Sequence, residues 1–205
     1  MSPARYRLTE DDDLVAAWVA RWAPVTAMQI GRRFGRSKRT TYRRIQALLQ
    51  YELLHREPRD VQNIPGLLVP GPRHAVRPPR PLFPLSLRRH LLVVDHVIGA
   101  ELQDLQVLAP DEIARRDDIL AQLPRDGTRS VLPGAVVLAE HRVAIYAVVG
   151  GDEAGGHPLS AVLAHRWPAS LHARLVVSDE RLLPDALPAR VQAERAPWPA
   201  LEPPG

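Results

Sequence analysis

The sequence contains no cysteine, which excludes disulfide staples, thiolate zinc sites and cysteine nucleophiles, and suits a reducing compartment. It contains one lysine, Lys38, so no lysine-assisted chemistry is available after the first fifth of the chain. No apolar run approaches the roughly 20 residues needed to cross a bilayer, and the first residues, Met1-Ser2-Pro3-Ala4-Arg5, lack the apolar segment of a secretory signal. The expectation is therefore a soluble cytoplasmic protein with no membrane partner. Acidic residues are absent between Asp13 and Glu52, and this local absence is the most informative.

With 45% hydrophobic and 24% charged residues, the 205-residue chain has material for one middling domain or two small ones. Its 26 arginines reflect in part a GC-rich coding bias, but such a bias does not sort charge by sign. Residues 1–80 hold 15 Lys/Arg against 7 Asp/Glu, whereas residues 81–205 hold 12 against 16. The first part is a candidate polyanion-binding module and the second is not. Seven prolines fall between Pro65 and Pro84, and neither a helix nor a central strand can run through Arg77-Pro-Pro-Arg-Pro-Leu-Phe-Pro, which places a linker at 76–85. The expected organisation is a DNA-binding domain at 1–75, this linker, a mixed α/β domain at 86–190, and a proline-rich flexible tail at 191–205.

In the first part, Thr9 precedes an acidic first turn, and Leu14, Val15, Trp18, Val19 and Trp22 form an apolar helical stripe. Thr26 and Gln29 form a capping box for a short helix through Ile30 and Phe34, ending at Gly35. Ser37 caps a third helix, 37–52, with Thr41, Ile45, Leu48, Leu49 and Glu52 on one side. Residues 53–56 and 67–69 read as two strands. Three helices followed by a hairpin is the order of a winged helix-turn-helix, so the expected class is α+β, with this module ahead of a small mixed α/β domain. In the second part, Ser86 caps a long helix with apolar positions from Leu87 to Leu105, and a second helix is expected from 111 to Leu123. Strands are expected at 135–138, 143–149 and 173–177, with a helix at 159–166.

From Gly31 to Arg44 there are seven basic residues and no acid, around the turn of the helix-turn-helix. A helical projection sets Arg39, Thr40, Arg43 and Ala47 opposite Ile45. Arg39 and Arg43 are then placed to read guanine edges, with Thr40 or Ala47 against a thymine methyl; Arg32, Arg33, Arg36, Lys38 and Arg44 are placed to hold phosphates. Arg56 and Arg59 lie at the base of the hairpin loop, from which a wing reaches the neighbouring backbone. The expected partner is double-stranded DNA, with no cofactor or metal. A protein-docking helix-turn-helix is the alternative binding module, but it would interleave acids with these bases.

No nucleotide-binding glycine motif, helical zinc motif or nucleophile elbow occurs, and the scattered histidines assemble no triad, so no catalytic residue is assigned. The segments Val25-Thr-Ala-Met-Gln-Ile, Arg43-Arg-Ile-Gln-Ala-Leu, Leu53-Leu-His-Arg, Leu67-Leu-Val-Pro, Leu87-Arg-Arg-His-Leu-Leu-Val-Val, Leu132-Pro-Gly-Ala-Val-Val-Leu and Arg142-Val-Ala-Ile-Tyr-Ala-Val occur in that order. In this order the chain resembles the replication-relaxation family of actinobacterial mobile elements. The resemblance, over about residues 10–180, implies a winged helix before a nuclease-like domain and a role in transcription, replication or transfer of a plasmid-like element. Where family members tend to have Pro-Asp the chain has Pro133-Gly134, and Tyr146 stands where they tend to have glutamate. Hard oxygen ligands for a divalent cation are thereby lost, leaving a domain suited to pairing with a second copy or contacting a partner. The alternative is a metal-dependent nuclease or nicking accessory with an atypical site around Glu140, Asp152 and Glu153.

Overall fold

A computed structural model describes residues 7–57, 66–72, 84–149, 159–178 and 180–195. The protein is mixed α+β and divides into two compact units, Met1–Pro81 and Leu82–Gly205. Most of the expected linker, and the tail beyond residue 195, lie outside the described residues.

The first unit contains α1 (Glu10–Trp22), α2 (Ala27–Arg33), α3 (Lys38–Gln50), β1 (Leu54–Arg56) and β2 (Leu68–Pro70). At the start of α1, Asp12 accepts from the backbone N–H and hydroxyl of Thr9, both at 2.9 Å. Val15, Trp18, Val19 and Trp22 are buried, but Leu14 is 56% exposed, because on a helical projection it falls about 40° beyond Trp18, outside the edge of the buried arc. The Thr26–Gln29 capping box is reciprocal: Thr26 N–H donates to Gln29 Oε1 at 2.9 Å and Gln29 N–H to Thr26 Oγ1 at 3.2 Å. Gly35 takes φ +61° in the turn, a conformation that favours glycine. Gly31 comes so close to α3 that a Cβ there would stand 3.0 Å from Thr41 Oγ1.

Helix α3 stops at Gln50 rather than Glu52. Leu53 N–H donates to Leu48 O and Glu52 N–H to Leu49 O, with Glu52 at φ +58°, so the chain leaves through a Schellman turn. β1 and β2 pair antiparallel with His55 opposite Val69, and Val25 exchanges two hydrogen bonds with Leu68. Gly71 sits so close to the backbone of Glu52 and Leu53 that a Cβ has no room: it would lie 2.0 Å from Glu52 O. Gly71→Ala is accordingly expected to destabilise this unit by about 2–3 kcal/mol, measurable in urea unfolding.

The second unit opens with α4 (Pro84–Glu101), two residues ahead of the Ser86 start, since proline is well tolerated in a first helical turn. There follow β3 (Gln106–Leu108), α5 (Pro110–Ile113), α6 (Asp117–Leu120), a minimal hairpin of β4 (Arg125–Asp126) and β5 (Arg129–Ser130), β6 (Ala135–Leu138), β7 (Arg142–Val148), α7 (Leu159–Ala164), β8 (Leu171–Val177) and β9 (Val191–Arg195). The five-stranded sheet has the order β3-β6-β7-β8-β9, antiparallel from β3 to β7 and parallel from β7 to β9. One face carries Val136, Ala144, Tyr146, Leu175 and Val177 in a core with Ile113, Ile119, Leu123, Val162 and Trp167. Helix α4 packs against β3, β6, β7 and β8.

Three expectations change here. The helix expected over 111–123 is two single turns, because Ile113 and Ile119 stand six residues, or 240°, apart on a straight helix and reach one core only if the helix breaks between them. Helix α4 ends at Glu101, where Asp104 at φ +57° turns the chain into β3, leaving Leu102 exposed. Residues 191–195, assigned to the tail, form an edge strand in parallel register with β8, Ala173 opposite Val191.

His96 on α4 bonds through Nδ1 to Glu194 on β9, with Arg174 of β8 3.6 Å from the same carboxylate. Burial pushes the His96 pKa below the ordinary 6.5 despite the opposing pull of Glu194. His172, beside Arg190 and His141, is likewise lowered, first by desolvation. A histidine harder to protonate when folded costs stability as pH falls below about 6.5. The melting temperature is thus expected to drop between pH 7.5 and 5.5, and His96→Gln to flatten part of that drop.

Candidate nucleic-acid interface

Helix α3 is capped by Ser37, whose Oγ accepts from Thr40 N–H at 3.3 Å, while Thr41 Oγ1 donates to Ser37 O at 2.9 Å. Thr41, Ile45, Ala47 and Leu48 turn inward. Arg39, Tyr42, Arg43 and Gln46 are exposed, and Thr40 is half-buried. The exposed face is therefore rotated from the one expected. Ala47, expected to meet a thymine methyl, is only 4% exposed and belongs to the core. The cause is packing from several sides, as α3 contacts α1, α2 and β1.

The basic residues also divide differently. Arg44 donates from Nη1 to both oxygens of Asp12, at 3.2 and 3.0 Å; its side chain is 23% exposed and that of Asp12 is fully buried. Arg36 pairs with Asp11, lies over the Phe34 ring at 5.3 Å and is largely covered. Two residues expected at phosphates are thus counter-ions for the acidic first turn of α1, and they hold α3 and the turn before it against α1. Arg39 and Arg43 have no partner among the described residues. Arg32 and Lys38 are exposed, and Arg33 is half-buried over Phe34 at 5.5 Å. Arg56, the last residue of β1, is exposed; Arg59 lies outside the described residues. Tyr42 and Gln46 were missed by the sequence reading, although Tyr42 stands three residues after Arg39 and Gln46 three after Arg43.

In the second unit, the residues at the positions expected to have lost their carboxylates do not fit a divalent cation. A Cβ on Gly134 would come 2.5 Å from Val93 Cγ2. Tyr146 is buried and donates its hydroxyl to Val131 O at 3.1 Å, and burial pushes its pKa up. Glu140 is exposed, and Asp152 and Glu153 lie outside the described residues. Among the described residues no group of three metal-ligating side chains occurs, and no helix is long and apolar enough to cross a membrane. No family model and no curated protein matches the chain.

Proposed function

We propose that the first unit is a winged helix-turn-helix that binds double-stranded DNA, with α3 in the major groove and the β1–β2 hairpin as the wing. The observation that carries this reading is the outer face of α3: Arg39 and Arg43 stand exposed without an acidic partner among the described residues, while nearby charges are neutralised inside the unit. Guanidinium forks held clear of intramolecular carboxylates suit guanine O6 and N7. Arg32, Arg33, Lys38 and Arg56 supply the phosphate contacts, and Thr40 lies at the margin of the reading face. Arg36 and Arg44 act instead by positioning α3.

On this reading the protein regulates transcription, replication or transfer of a mobile element, in keeping with the resemblance to the replication-relaxation family. The second unit serves contact with a partner or a second copy; what supports this is that the buried Tyr146 and the crowded Gly134 offer a divalent cation no ligands.

Binding sites selected from random duplexes, followed by titration over a salt series, test the reading. Arg43→Ala is expected to cost about 1–3 kcal/mol on the selected site and to relax base preference, whereas Lys38→Ala weakens selected and random DNA alike and makes the salt slope shallower. Absence of any association with duplexes at low ionic strength overturns the proposal.

A further inference from the structure

The exposed residues of α3 are Lys38, Arg39, Tyr42, Arg43, Gln46 and Gln50. They make one stripe, which includes two guanidinium groups, Arg39 and Arg43, and the carboxamide of Gln46 three residues beyond Arg43. We infer that Gln46 is a specificity-determining residue of this interface and that it reads adenine. The inference rests on the duplex-DNA reading above and adds to it the base composition of the site.

The chemistry follows from the donor and acceptor pattern of each side chain. A glutamine carboxamide offers one acceptor beside one donor, which matches the N6 amino group and N7 of adenine in the major groove; arginine offers two donors, which match O6 and N7 of guanine. At 1.5 Å of rise per residue, Gln46 stands about 4.5 Å along the axis from Arg43 and about 10.5 Å from Arg39. With bases spaced about 3.4 Å apart, these separations correspond to one or two steps and to about three. The site is accordingly a short purine-containing element, with guanines facing Arg39 and Arg43 and an adenine one or two steps beyond the second. Gln50 is the last residue of α3, about 6 Å further along the axis than Gln46, and so stands farthest of the stripe from the N-terminal part through which recognition helices chiefly meet base edges. Ala47, the other side chain expected near this end of the reading face, is buried and cannot reach a base.

The full-length wild type, Gln46→Ala and Gln46→Arg are each put through selection from random duplexes and then titrated on the wild-type site. The wild type is expected to select an adenine one or two steps from an Arg43-dependent guanine. Gln46→Ala is expected to weaken binding to that site about 5- to 150-fold and to equalise the four bases at the adenine position alone. Gln46→Arg is expected to replace that adenine with guanine. Because Gln46 is exposed, both variants should melt as the wild type does. An adenine preference that survives Gln46→Ala, or a wild-type site with no adenine at that spacing, overturns the inference while leaving DNA binding intact. Failure of the wild type to bind any duplex overturns the interface as a whole.

Discussion

Replacing Asp12 with alanine is expected to destabilise the first unit by about 3 kcal/mol, since removing one member of a buried pair leaves the other charge uncompensated. The carboxylate is fully buried and accepts from the Thr9 backbone, the Thr9 hydroxyl and Arg44. The loss therefore combines the cap of α1 with the tie between α1 and α3. Hydrogen exchange of amides in residues 10–50 would register it as a lower opening free energy. A second substitution separates the two parts: Arg44→Met in the Asp12→Ala background removes the stranded guanidinium and is expected to recover a substantial share of the stability. If instead Arg44 served chiefly as a phosphate ligand, Arg44→Met alone would weaken DNA binding like Lys38→Ala and leave stability untouched.

The second large effect is expected from restoring carboxylates to the second unit. Tyr146→Glu would place an ionisable group in the core beside Trp167 and would abolish the hydrogen bond to Val131 O. The expected cost is about 4 kcal/mol, at the upper end of single-substitution effects. Gly134→Asp adds about 1–3 kcal/mol, because its Cβ must displace Val93 on α4. The double variant is expected to lose its cooperative thermal transition near that of the wild type, and to leave plasmid DNA intact with Mg²⁺ or Mn²⁺. A stable double variant that cleaves would show that the two positions face a cation site after all, and would favour the nuclease reading.

What was legible in the residues was local. The Thr26–Gln29 box, the Ser37 cap and the left-handed Gly35 each depend on groups within a few positions of one another, so short-range stereochemistry settles them. β6, β7 and β8 announced themselves through β-branched and apolar runs. β9 did not, because Gln192, Glu194 and Arg195 have little intrinsic preference for a strand, and only the neighbouring β8 offers their backbone its partners.

The candidate site divides along the same line. The density of positive charge between Gly31 and Arg44, the lack of acid among it and the helix that carries Arg39 and Arg43 were all determined by the order of amino acids alone. Tertiary structure decided how far α3 is rolled about its axis, which sent Ala47 inward and brought Tyr42 and Gln46 to the surface. It also decided that Arg36 and Arg44 answer to Asp11 and Asp12, carboxylates 25 and 32 positions earlier in the chain. The physical reason is range: caps and turns are closed by neighbours in sequence, whereas the roll of a helix and the partner of a charge depend on surfaces that meet only once the chain has folded.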